Sequence, residues 1–317
     1  MRLCRFQEGE DTLLGFFWET HIIPIDSANE AFAQATDEDL DLISGDDPLD
    51  LLPPSKSAAA ALRLFQWLES LSAADREAIS IPIDQVTLRV PVRMPGKLLL
   101  LAGNYAKHVE ERGGTTAERE ETFPYVFSKP PTTTLTDPGD PIVLPANSPD
   151  HIDWECELGV VIGSHCKNVS EAEALNYVAG YTVINDISDR KFTPNPARKT
   201  RERDKFFDWL HGKWHDTFCP VGPCLLGAEG VDPQSLHLTL KVNGETKQDA
   251  STAQMVFPVA AVVAFISSFT TLEPGDVIST GTPSGVGSAT GTYLKHGDEI
   301  EASIERIGTL RNWVTSE

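Results

Sequence analysis

Glu155 and Glu157 stand two residues apart in Asp153-Trp154-Glu155-Cys156-Glu157, at the head of the apolar run Leu158-Gly159-Val160-Val161-Ile162. Side chains alternate along a strand, so the two carboxylates share one face. Like charges side by side repel, and burying either alone is costly. A cation resolves both problems, and an all-oxygen donor set suits Mg²⁺, Mn²⁺ or Ca²⁺ better than zinc. Taken alone, the pair also fits a solvated strand edge. Asp186 follows the apolar run 177–184. At that position a third ligand and a turn-capping Asp are both consistent with the sequence.

Three further groups carry chemistry. In Gly103-Asn104-Tyr105-Ala106-Lys107-His108-Val109-Glu110-Glu111, a helical turn puts His108 and Glu111 on one face. A carboxylate beside an imidazole fixes its tautomer and raises its basicity, as a general base requires. A surface His next to a surface Glu has the same spacing. Lys213, between Gly212 and Trp214 and ahead of Pro220-Val221-Gly222-Pro223, fits either a buried ammonium or a lysine that reaches solvent. The turn Gly281-Thr282-Pro283-Ser284-Gly285-Val286-Gly287 lets backbone N–H groups and the Thr282 hydroxyl approach a carboxylate, or is simply a glycine turn. His211 and His215 lack a third soft ligand for zinc.

The elements that position these groups are short apolar strands at 98–102, 125–128, 158–162, 236–242, 277–280 and 299–304, separated by Gly, Pro, Asn and Asp. Helices are expected at 259–269 and at 170–177, where Ser170 and Glu173 form a capping box. No GxGxxG follows a strand, so an α+β, mostly β fold with peripheral helices is expected rather than a doubly wound sheet. Residues 1–92 differ in texture. They have short strands before 25, an acidic segment at 37–50, an Ala- and Leu-rich helix over 57–80 (Leu62, Phe65, Leu68, Leu71) and an extended connector at 82–95. They read as a small N-terminal α/β accessory domain, with 93–317 as the catalytic domain.

At 317 residues with 40% hydrophobic content, the chain can bury a large core. A net charge of −21 argues against nucleic acid. No run is long enough to span a membrane and the N-terminus lacks a signal-peptide core, so a cytoplasmic location is expected. Five cysteines without a CxxC pair point to reduced, partly buried thiols.

Together these blocks resemble the fumarylacetoacetate hydrolase family from about Lys97 onward, in the family's order. Supporting matches are Phe127-Ser128-Lys129-Pro130, Asn243-Gly244-Glu245 with Gln248-Asp249, and Leu294-Lys295-His296-Gly297-Asp298-Glu299. The resemblance implies a mixed β-sandwich with a β-roll and a homodimer. It implies Glu155, Glu157 and Asp186 as ligands for Mg²⁺ (Mn²⁺ or Ca²⁺ as substitutes). His108 and Glu111 become the catalytic pair on a lid segment, and Lys213 the active-site lysine. Arg190, Thr282 and Tyr105 become substrate-binding residues.

The chain departs from the family's usual Ala-Arg-Asp at Asp189-Arg190-Lys191. A basic loop follows, with Arg198, Lys199, Arg201, Arg203 and Lys205. The expected substrate is a small anionic 2-oxo acid, with charge developing as an enolate that the cation and Lys213 stabilise. The expected reaction is hydrolytic C–C cleavage of an acylpyruvate. Isomerisation of a 2-hydroxymuconate-type dicarboxylate and decarboxylation of oxaloacetate use the same enolate. A non-catalytic metal or 2-oxo acid binding protein is the alternative from another class.

Overall fold

The computed structural model describes residues 1–43, 45–111, 113 and 119–317. Strands dominate it, and the expected α+β, mostly β class is what the chain adopts. The first region supplies β1 (Arg2–Glu8), β2 (Asp11–Trp18) and β3 (His21–Pro24), then α1 (Ile25–Thr36), α2 (Ala58–Ser70) and α3 (Ala73–Ala78). The stretch expected as one helix is two, because Ser72 caps the second by accepting a hydrogen bond from the Asp75 N–H at 3.2 Å. The inward face of α2 is Ala61, Leu64 and Leu68; of the expected stripe Leu68 is buried, while Leu62, Phe65 and Leu71 are half-buried.

The second region supplies β4 (Leu98–Ala102), α4 (Ala106–Glu111), β5 (Tyr125–Ser128), β6 (Cys156–Ile162), β7 (Val178–Asn185), α5 (Asp204–His211) and β8 (Cys219–Gly227). It continues with β9 (His237–Val242), β10 (Glu245–Ser251), α6 (Val259–Phe269), β11 (Val277–Ser279), β12 (Glu299–Ile304) and β13 (Gly308–Ser316). The expected helix at 170–177 is a 3₁₀ turn, Ala174–Tyr177. Ser170 does donate its hydroxyl to Glu173 at 2.6 Å, but the segment is too short to propagate an α-helix.

One large open sheet runs β3-β2-β1-β8-β7-β6-β11-β4-β5, antiparallel except where β11 lies parallel to β4. A second sheet runs β10-β9-β12-β13 and ends on the short strand Ile142–Leu144. It packs across β6, β7 and β8, so Leu158, Val160 and Val183 meet Leu240, Ile300 and Leu310 in one core. On the other face of the large sheet, Val161, Ile184 and Val221 meet Ala28, Phe32, Leu64 and Leu68 from α1 and α2. Strand β6 is therefore buried on both faces, which is why its sequence is a continuous apolar run rather than an alternating one.

Candidate active site

Register places the three carboxylates. Strands β6 and β7 are antiparallel with Cys156 opposite Asn185, so Glu155 and Asp186 leave the sheet from the same end of the pair. The Asp186 N–H donates to the Glu155 carbonyl at 2.9 Å, which fixes that divergence. Glu157, one alternation further along, points to the same side as Glu155. Carboxylate oxygens of all three lie within 4.8 Å of one another, and all three residues are buried. No other His, Cys, Asp or Glu cluster of metal-binding geometry occurs among the described residues, and His211 and His215 form none.

Three buried cations surround them. Lys213, which follows the C-terminus of α5, donates to Glu155 Oε2 at 2.7 Å and to Asp186 Oδ2 at 2.5 Å. Its side chain does not reach solvent. Burial works against the Lys213 charge, but Asp186 and Glu155 outweigh it and hold the ammonium above its usual range. Arg190 bridges Asp153 (2.7 Å) and Glu155 Oε1 (2.6 Å). Lys129 lies 2.5 Å from Asp186 Oδ1 and also donates to the carbonyls of Ile187 and Phe218.

Four buried carboxylates (Asp153, Glu155, Glu157, Asp186) thus face three buried cations, and the imbalance falls on Glu157. Glu157 Oε2 accepts from Ser279 Oγ at 2.5 Å and the Gly281 N–H at 2.8 Å, while Oε1 has no hydrogen-bond partner among the described residues. Burial, with repulsion from Asp186 and Glu155, pushes the Glu157 carboxyl well up. Burial acts the same way on Glu155, but Arg190, Lys213 and His108 outweigh it and hold that carboxyl well below the usual range. An orphaned carboxylate oxygen beside two others is what a hard divalent cation requires, so the donor set fits Mg²⁺ or Mn²⁺.

His108 and Glu111 meet as their spacing predicts. His108 Nδ1 lies 3.0 Å from Glu111 Oε1, and Glu111 Oε2 accepts from the Gly285 N–H at 3.0 Å. An ionised Glu111 accepting at both oxygens selects the tautomer with the proton on Nδ1 and leaves Nε2 basic. Asn104 pins the turn before this helix by donating to the carbonyls of Phe257 and Thr280. Gly281 and Gly285 are required at their positions. Both have φ near +90°, and a Cβ would meet Asn104 Cβ at 2.9 Å or the Lys247 carbonyl at 2.0 Å. Residues 114–118, where the lid segment expected around His108 continues, lie outside the described residues.

Glu155, Glu157, Lys213, Arg190, His108 and Thr282 line one cavity, whose other side is Phe127 and Trp209. Two expected substrate contacts differ. Tyr105 is not among the residues that line the cavity. It is buried in the core, with a hydroxyl that has no partner among the described residues. The Thr282 hydroxyl donates to the Cys156 carbonyl at 3.0 Å and accepts from Gln248 Nε2 at 2.8 Å, so its single proton is engaged inside the protein. Arg190 keeps one buried guanidinium nitrogen without a partner among the described residues. Lys129, Asp153 and Gln248 were legible in the sequence only as members of motifs, with no role attached. A lysine at a strand end before Pro130-Pro131 was the one local signal for Lys129.

The basic loop is partly self-neutralised: Arg198 pairs with Asp204 and Asp208, and Arg201 with Asp204. All five cysteines are buried free thiols. No helix among the described residues is long and apolar enough to cross a membrane.

The chain is similar to several known proteins. The chain is 42% identical over 255 residues to 2,4-didehydro-3-deoxy-L-rhamnonate hydrolase of Sphingomonas sp. (strain SKA58), covering 78% of this chain and 84% of that protein. It is 39% identical over 262 residues to the mitochondrial oxaloacetate tautomerase Fahd2a of Rattus norvegicus, covering 79% of each. It superposes on maleylpyruvate hydrolase from Sphingobium sp. SYK-6, solved with manganese(II) and pyruvate. That match has a TM-score of 0.66 and 30% identity, over 100% of this chain and 99% of that one. The model of the Fumarylacetoacetate (FAA) hydrolase C-terminal family matches residues 97–315, and the chain belongs to that family of enzymes.

Proposed function

We propose that the protein is a metal-dependent hydrolase that cleaves the C3–C4 bond of an acylpyruvate. The observation that carries this reading is the cavity lined by Glu155, Glu157, Lys213 and the Glu111-oriented His108, with Asp186 completing the carboxylate cluster beside it. The manganese and pyruvate bound by the maleylpyruvate hydrolase, and the 2,4-didehydro acid in the name of the rhamnonate relative, support it.

A divalent cation held by Glu155, Glu157 and Asp186 supplies Lewis-acid polarisation of the 2-oxo carboxylate head. Arg190 presents its free nitrogen to the substrate carboxylate. His108 Nε2 takes a proton from water as that water attacks the C4 carbonyl, and Glu111 bears the resulting imidazolium. The C3–C4 bond breaks, and its electron pair passes to C3 and the 2-oxo oxygen, where the Lys213 ammonium offsets the charge. C4 leaves as a carboxylic acid, and C3 takes a proton to give pyruvate. Water and one C–C bond are consumed, so atoms balance. The reading includes a cytoplasmic homodimer.

The oxaloacetate tautomerase relatives favour a second outcome from the same head chemistry, proton transfer at C3 without bond cleavage. Turnover of acetylpyruvate, fumarylpyruvate, oxaloacetate and a 2-hydroxymuconate with Mg²⁺, against an EDTA control, separates the two. Metal-dependent release of pyruvate from acetylpyruvate supports the hydrolase. Oxaloacetate enol–keto exchange alone overturns it. Normal turnover in Glu155→Gln overturns the metal site.

A further inference from the structure

The acidic cavity has about 40 Å³ of room, on the scale of a 2-oxo acid's head, so whatever C4 carries must extend outside it. Ala102, Phe127 and Trp209 line this cavity and also a second one of about 590 Å³. Phe127 and Trp209 meet edge to face at 5.0 Å, and Lys213 Nζ stands 5.4 Å from the centre of the Phe127 ring. Beyond them the second cavity is walled by Phe123, Tyr125, Phe206, Phe265 and Phe269, with no charged side chain among the described residues of its lining. Phe206 and Phe269 are more than half exposed, a concentration of bare aromatic surface that marks a binding surface.

We infer that the substrate's acyl group is apolar and uncharged, and that it lies in this aromatic cavity while the 2-oxo acid head occupies the acidic one. This rests on the acylpyruvate reading and narrows it to monocarboxylates. A second carboxylate at the far end of the substrate finds no cation in the lining among the described residues: Arg198 and Arg201 of the nearby loop are paired, and the exposed Lys199, Arg203 and Lys205 do not line the cavity. An unpaired carboxylate held against aromatic rings loses hydration without compensation. An alkyl or aryl tail gains from the same burial.

The test uses the full-length chain loaded with Mg²⁺. Calorimetry gives the Kd of pyruvate, 2-oxohexanoate, 2-oxooctanoate and 2-oxoglutarate, and kcat/KM is measured for acetyl-, hexanoyl- and fumarylpyruvate. Affinity is expected to tighten about threefold per added methylene, with 2-oxoglutarate at least tenfold weaker than 2-oxohexanoate. Phe206→Asp, an exposed position that the fold tolerates, is expected to flatten the chain-length trend while Mg²⁺ binding is kept. A flat trend or a preference for dicarboxylates overturns the inference. So does a Phe206→Asp variant that changes the sedimenting species when the wild type shows no tail gain, because the patch is then a contact between copies. Acetylpyruvate separates the two ideas. Cleavage of it without a tail gain leaves the hydrolase reading standing and the tail site refuted. A tail gain without cleavage does the reverse.

Discussion

Glu111 and Gly285, 174 positions apart, are joined by a 3.0 Å hydrogen bond from the glycine N–H to the carboxylate. The oxygen that is left faces His108. One side chain therefore orients the base and latches its helix onto the 281–287 turn, whose Gly281 N–H holds Glu157. Glu111→Gln offers one acceptor where two are needed. Turnover is expected to fall 10²–10³-fold with Mg²⁺ affinity nearly unchanged, read as kcat against the metal Kd.

Lys213 and Lys129 both hold Asp186, yet only Lys213 lines the cavity. Lys213→Gln is expected to abolish turnover, keep the fold and tighten Mg²⁺ binding about tenfold, since a like charge beside the metal is removed. Lys129→Met leaves Asp186 Oδ1 and the carbonyls of Ile187 and Phe218 without their donor in the interior, although Lys213 still holds Asp186 Oδ2. A loss of roughly 3–5 kcal/mol is expected, read as a lower urea midpoint or failure to accumulate as soluble protein.

Without the cation, Glu157 is left buried against Asp186 and Glu155, with Lys213 and the Ser279 hydroxyl too weak to offset them. At a metal concentration about one hundred times the Kd, binding adds about 2.7 kcal/mol. A chain of this size then melts roughly 4 °C higher with Mg²⁺ than with EDTA. Calorimetric scans of wild type show the shift, and Glu157→Gln largely loses it.

Asp46 gives a pH signature distant from the site. Burial raises its carboxyl, but the Arg5 guanidinium, with Arg93 behind it, holds it below the ordinary value of 3.8. A carboxyl whose folded value lies below its unfolded one stabilises the protein above the unfolded value. That stability is lost as pH falls through the folded one. Asp46→Asn is expected to lower the urea midpoint by the same amount from pH 7 down to about pH 5. The gap to wild type then narrows below about pH 4.

Period-two alternation placed Glu155 and Glu157 on one face, and the i, i+3 spacing placed His108 against Glu111. Those are local facts that a sequence carries. Non-local geometry decided the remainder. Nothing near Lys129 says that its ammonium crosses to Asp186, because the contact depends on where β8 begins. Thr282 sits in the turn where a substrate contact was expected, but Gln248, from the neighbouring sheet, takes up its hydroxyl. Tyr105 lies in the same motif as His108, yet the tight turn held by Asn104 directs its ring into the core. The two expected single helices differ for separate reasons: Ser72 caps a second helix and splits one, and 170–177 is too short to propagate.

Strand β1 pairs with β2 on one side and with both β8 and the Thr87–Arg89 segment on the other, while Arg5 reaches the carbonyls of Val90 and Val92. The stretch matched by the family model consequently shares one sheet with the residues that precede it in this chain. Excised at Lys97, it would present the flank of β8 as a bare hydrogen-bonding edge. Leu225 and Val221 would lose their partners among Leu3, Phe16 and Ile23. Such a fragment would stick to other copies of itself before it could bind a substrate, so chimaeras between relatives should exchange the whole sheet or none of it.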